Sequence, residues 1–140
     1  VWADSVNDEA AAYIYFVWFF FNGIEEFEPY ISDITVAEIE QAPDIELRDK
    51  MKDAVAQFPV LSSTKDAEWL GKEYITYSAV PEKYAEDAYH IAIAVINEID
   101  FLLSWNFKHI VRRKTRDIVQ MVNTLNRIRH IEIMTPAELL

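Results

Sequence analysis

With 140 residues, 51% of them hydrophobic and 14% aromatic, the chain is long enough to bury one real core and too short for two, so a single domain spanning residues 1–140 is expected. It has no cysteine and three dispersed histidines, which excludes disulfides and a thiolate zinc site, argues against a histidine-rich site, and is compatible with a reducing cytoplasm. Any metal would then be held by oxygen ligands, which suit Mg²⁺ or Mn²⁺. The net charge of −11 is uneven: residues 1–100 carry 6 Lys and Arg against 21 Asp and Glu, a net −15, whereas residues 101–140 carry 7 against 3, a net +4. An acidic body with a basic end suits cations at one place and a polyanion at another; a solvated helix face is the plainer account of the same basic residues.

The first predicted element is a helix capped at Asn7 or Asp8, running to Phe21 and ended by Asn22-Gly23. Its apolar and aromatic run, Ala10 to Phe21, is 12 residues, short of the roughly 20 that cross a bilayer. Acidic Asp8 and Glu9 stand where a signal peptide would be basic, so no membrane association is expected. Tyr13, Phe16, Val17 and Phe20 recur at helical spacing, while Tyr15, Trp18, Phe19 and Phe21 leave almost no polar side. A small domain seldom covers such a helix alone, and a symmetric homodimer is expected.

Pro29 to Ser32 then reads as a short strand, Asp33 or Thr35 starts a helix to about Gln41, and Ala42-Pro43-Asp44 breaks it. A helix over Ile45–Gln57, a possible strand at Val60-Leu61 and a helix over Thr64–Thr76 come next. Pro81 opens a helix whose apolar positions Tyr84, Ala88, Ile91, Ala92, Val95, Ile96 and Ile99 fall on one face, with Asp87 inside that face. Phe101–Trp105 is a buried strand, Lys114–Arg127 a helix, His130–Met134 the last strand, and Thr135-Pro136 begins a helical tail. The only glycines, Gly23 and Gly71, are expected at helix ends. Alternating strands and helices predict an α/β fold, a parallel sheet with helices on both faces. Val1-Trp2-Ala3 is a poor central strand, so the first strand is either very short or lies upstream.

Glu38, Asp87 and Asn106 are the polar residues placed oddly for structure alone, each following a strand or lying in the helix after one. A parallel sheet can bring such side chains together at the carboxyl ends of its strands. Oxygen donors converging there would hold one or two divalent cations and favour hydrolysis of a phosphodiester. Each also has a structural account. Glu38 stands three after Thr35, the spacing of a capping box; Asp87 can meet buried donors; Asn106 is an ordinary turn or N-cap residue. His90 reads as a packed or hydrogen-bonded histidine.

Ile31-Ser32-Asp33-Ile34-Thr35-Val36-Ala37-Glu38-Ile39, Asp87-Ala88-Tyr89-His90-Ile91-Ala92 and Leu103-Ser104-Trp105-Asn106-Phe107 resemble the second, third and fourth motifs of the PIN domain, a group that includes the VapC-type toxins of toxin–antitoxin pairs. The resemblance covers roughly residues 24 to 138, and Ser104-Trp105-Asn106-Phe107-Lys108-His109-Ile110 is its most specific part. It implies a three-layer α/β/α fold, commonly dimeric, and a Mg²⁺- or Mn²⁺-dependent ribonuclease, with an antitoxin protein as a possible partner. By the same resemblance Glu38 and Asp87 match motif acids and metal ligands, Asn106 the fourth-motif position acting through water, and Ser104 a supporting hydroxyl. RNA would be gripped by Arg112, Arg113, Lys114 and Arg116. The chain departs from the pattern in two ways: Asn106 adds no charge, and the first-motif acid is either Asp4 or upstream. The rival reading is a PIN-like binding or regulatory module that has lost catalysis and acts through oligomerisation.

Overall fold

The computed structural model describes residues 27–139; Asp4, the Val1–Ala3 segment and the aromatic helix expected up to Phe21 lie outside them. The fold is mixed α/β with parallel strand pairing, and the described chain divides after Leu61 into two compact units. No described helix is long and apolar enough to cross a membrane.

The first unit holds β1 (Ile31–Ser32), α1 (Asp33–Glu40), α2 (Ile45–Val55) and β2 (Val60–Leu61). β1 and β2 pair in parallel, Ile31 opposite Val60 and Ser32 opposite Leu61, and Ile31 N–H donates to the Pro59 carbonyl at 3.1 Å. Ile31, Ile39, Met51 and Val55 form the core, flanked by Val36, Ala42, Leu47, Ala54 and Phe58. Ser32, the last extended residue, caps α1: its Oγ accepts from the Thr35 N–H at 3.1 Å. The helix begins at Asp33, one of the two expected starts, and Glu38 lies in its second turn, out of reach of a capping box with Thr35, because strand pairing keeps Ser32 extended as the cap. Asp44 caps α2 through Leu47 N–H. Lys52 Nζ meets Glu40 Oε1 at 2.8 Å, and that hydrogen bond holds the Glu40 carboxyl below its ordinary pKa.

The second unit runs through α3 (Lys65–Thr76), a 3₁₀ turn (Glu82–Tyr84), α4 (Ala85–Ile96), β3 (Phe101–Leu103), α5 (Arg113–Leu125), β4 (Glu132–Met134) and α6 (Pro136–Leu139). β3 and β4 pair in parallel, with Leu102 opposite Ile133; the single expected sheet is thus, among the described residues, two separately hydrogen-bonded pairs of very short strands. α4 is more enclosed than an amphipathic helix, since Ile93 and Ala94 are buried along with Ala88, Ile91, Ala92 and Val95. Tyr74, fully buried, donates to Asn123 Oδ1 at 2.6 Å and ties α3 to α5, while Asn123 Nδ2 donates to the Arg129 carbonyl. Burial holds the Tyr74 hydroxyl protonated well above the ordinary phenol range.

Glycine is used where the sequence pattern does not suggest it. Gly71 is not a helix terminator but sits inside α3, where an added Cβ would lie 2.4 Å from Cδ1 of Tyr89 on α4; α3 and α4 approach over the missing side chain. The helix ends instead use left-handed residues with side chains. Ser78, Glu98 and Arg127 have φ of 62°, 58° and 56°, and each directly follows the C-cap of α3, α4 or α5. The paired bonds Ser78 N–H to Ile75 and Ala79 N–H to Tyr74, Glu98 to Val95 and Ile99 to Ala94, Arg127 to Thr124 and Ile128 to Asn123 are those of three Schellman motifs. The early left-handed turn at Arg127 is why α5 stops at Leu125, two residues short of the expected end.

Gly71→Ala should lower stability despite alanine's better helix propensity, by about 1 kcal/mol net, since overpacking costs ~1–3 kcal/mol against a propensity gain of ~1; urea titration of Gly71→Ala with and without Tyr89→Ala should show the loss only with the ring present. Glu98→Gly should instead raise the urea midpoint, by up to about 1 kcal/mol of stability, because it removes left-handed strain that exceeds glycine's entropic cost.

Candidate functional site

β3 ends at Leu103, and the chain turns sharply before α5. The ladder continues by one bond, Ser104 N–H to the Met134 carbonyl at 3.1 Å, and buried Ser104 offers its Oγ to the Asn106 N–H at 2.9 Å. Asn106 organises the segment leading to α5. Its carbonyl accepts from Ile110 at 3.2 Å and Val111 at 2.9 Å, and its Oδ1 accepts from the His109 N–H at 3.0 Å. The side chain thus closes a turn over 106–109, as Asn does where the backbone lacks a partner.

That turn delivers His109 to Asp87 in the first turn of α4. His109 Nδ1 lies 3.2 Å from Asp87 Oδ2, and Asn106 Nδ2 lies 3.4 Å from the same oxygen. Asp87, Asn106 and His109 are 4%, 9% and 8% exposed, so the carboxylate is desolvated and depends on its neighbours. Tyr84, just before α4, stacks on the imidazole with ring centroids 4.0 Å apart and planes at 28°. Thr115, fully buried, lies 2.7 Å from both the His109 and Ala79 carbonyls, and its one hydroxyl proton serves either.

The basic segment divides into two kinds of residue. Arg112 donates Nε to Thr115 Oγ1 at 2.9 Å and Nη2 to the Ala79 carbonyl at 3.2 Å. Arg116 donates Nε to the Val111 carbonyl at 2.6 Å and pairs with Glu138 at 3.4 Å. Both are half-buried braces, whereas Arg113 and Lys114 are exposed; Arg113 Nε stands 3.6 Å from Asp117. α5 opens with no side-chain cap and no acid in its first turn, so its unpaired N–H groups and these cations share one end, an arrangement that favours an anion.

The residues expected from sequence are therefore only partly gathered in the second unit. Asp87, Asn106 and Ser104 belong to one hydrogen-bonded turn, and Arg112 is joined to it through Thr115. Glu38, half-buried on α1, belongs to the first unit. Asn106 turns its oxygen to the His109 backbone and its amide nitrogen to Asp87, which is the turn-forming role rather than a direct ligand geometry. Two further residues belong to the site without having been expected there. For His109, one of the dispersed histidines, the available signal is its position three after an Asn at a strand end; Thr115 carries none. Among the described residues no group of three or more His, Cys, Asp or Glu side chains could hold a metal ion. The donor chemistry of Asp87 beside the His109 nitrogen nevertheless fits two positions of a divalent cation's shell. Comparison of the chain with family models, with characterised proteins and with solved structures finds no match.

Asn106→Ala should cost about 1–3 kcal/mol, the range for leaving a buried partner unsatisfied. Denaturant unfolding measures the loss, and amide exchange should locate it by faster exchange at His109.

Proposed function

We propose that this chain is a metal-dependent endoribonuclease of PIN type, acting as the toxin of a toxin–antitoxin pair and folding as a three-layer α/β/α domain that dimerises. The observation that carries the reading is the buried Asp87 carboxylate, gathered with Asn106 and His109 at the end of a parallel strand and followed by a helix that opens with exposed cations. Ligands of α/β folds collect at that end of a strand, and a phosphodiester substrate needs both negative donors for a cation and positive groups for its backbone.

Asp87 would hold Mg²⁺ or Mn²⁺, with Asn106 engaging through water; the cation would supply charge neutralisation at the phosphate and activation of water. The chain's own contributions are distinct. Asn106 fixes the turn that brings His109 to Asp87, Ser104 holds the Asn106 N–H, and apolar burial around α4 excludes bulk water from the carboxylate. Arg113 and Lys114 contact RNA phosphates, while Arg112 and Arg116 mainly brace the turn and the end of α5. The first-motif acid of this reading is Asp4 or a residue upstream of it. The rival, a PIN-like regulatory module without catalysis, is favoured by one observation: the fourth-motif residue is a neutral Asn whose oxygen is engaged by the His109 backbone.

An RNA cleavage assay with Mn²⁺ or Mg²⁺ tests the proposal. Cleavage should require the metal and fall on the order of 100-fold in Asp87→Asn, as for loss of a group that stabilises transition-state charge. Arg113→Ala with Lys114→Ala should weaken RNA binding across sequences and flatten its salt dependence. Metal-supported RNA binding without any cleavage would favour the regulatory module instead.

A further inference from the structure

We infer that Asp87 Oδ2 and His109 Nδ1 form a two-donor edge for a transition-metal dication, with the imidazole nitrogen as the ligand that favours such ions over Mg²⁺. The inference deepens the nuclease reading by assigning a nitrogen ligand where that reading has only oxygens.

Three observations converge on it. First, the two atoms are 3.2 Å apart with side chains only 11% and 6% exposed, yet Nδ1 has no hydrogen-bond partner by geometry, Asp87 Oδ2 included. On Nδ1 an N–H or a lone pair takes the same in-plane direction, so the nitrogen points past Oδ2, as a ligand of an ion shared with that oxygen would. Second, the spacing suits shared coordination. For metal–ligand distances of about 2.1 Å, adjacent ligands lie about 3.0 Å apart in an octahedron and about 3.4 Å apart in a tetrahedron, and 3.2 Å falls between. Third, the imidazole is positioned from several directions. The Tyr84 ring stacks on it, Asn106 Oδ1 holds its backbone N–H, and Thr115 reaches its carbonyl. The stacking holds the ring and the other two contacts hold the backbone, keeping Nδ1 3.2 Å from Asp87 Oδ2, the preorganisation expected of a metal-ligand histidine.

Imidazole is a borderline ligand that suits Zn²⁺, Co²⁺ and other transition metals, whereas Mg²⁺ takes oxygen almost exclusively. Affinity should therefore rise from Mn²⁺ to Co²⁺ to Zn²⁺, with Mg²⁺ weakest. Positions not filled by these two donors are available to water or to phosphate oxygens of a substrate.

Electron spin-echo spectroscopy of the full chain loaded with Mn²⁺ tests this without RNA. The parent protein should show nitrogen modulation from a directly bound imidazole, and labelling histidine alone with ¹⁵N should move it to ¹⁵N frequencies, which identifies the ligand type without a variant. His130→Gln should retain the signal. His109→Gln should abolish it and weaken Mn²⁺ binding about tenfold or more. Bound Mn²⁺ with no nitrogen modulation, modulation surviving in His109→Gln, or no Mn²⁺ binding by the parent would each overturn the inference. The nuclease reading is judged separately: metal-dependent RNA cleavage without nitrogen modulation sinks only the histidine ligand, and nitrogen modulation without cleavage sinks only the nuclease.

Discussion

Asn106 satisfies the backbone of a buried turn in the second unit, and the arrangement around Asp87 depends on that one residue. Between the end of β3 and the start of α5 the chain has no regular ladder, yet much of it is buried, so its N–H groups need partners. Asn106 accepts from His109 with its side chain and from Ile110 and Val111 with its carbonyl, while its own N–H is held by Ser104. Those bonds place Ile110 and Val111 in the core, set His109 against Asp87, and leave the first turn of α5 pointing its cations outward. A structural turn and the candidate site are here the same set of bonds.

The environment of α4 explains why the carboxylate sits where it does. A helix buried on nearly every side must be built from small and aliphatic residues, and Ala88, Ala92 and Ala94 let its neighbours approach. Gly71 does the same from α3 by making room for the Tyr89 ring. Asp87 is placed at the start of this helix, where the dipole favours a negative charge and the turn from β3 supplies polar neighbours.

The second unit is also shaped by how its helices stop. Three of them end in the same bonding pattern with no glycine at the left-handed position, each accepting a modest local strain to redirect the chain. The turn after α4 leads into β3, and the one after α5 leads into β4, whose parallel pairing fixes the strand end carrying Ser104 and Asn106. Arg129 reinforces the joint by reaching the Glu98 carbonyl at 3.0 Å and Asp100 at 2.8 Å, so part of the basic end serves the fold.

By itself the sequence determined the order and type of most described elements, because helical periodicity and the breaks at Ala42-Pro43-Asp44 and Pro81 are local signals that need no knowledge of distant contacts. It also determined that Asp87 would be buried, since a helix apolar at three- and four-residue spacing leaves no other face for it. Only the tertiary structure decided that Ser32 rather than Thr35 caps α1, that Gly71 belongs inside a helix, and that Arg112 and Arg116 are braces while Arg113 and Lys114 are exposed. It alone decided that His109 meets Asp87. Most of those outcomes rest on strand pairing and packing between segments apart in sequence, and neither the spacing nor the chemistry of one segment contains those contacts.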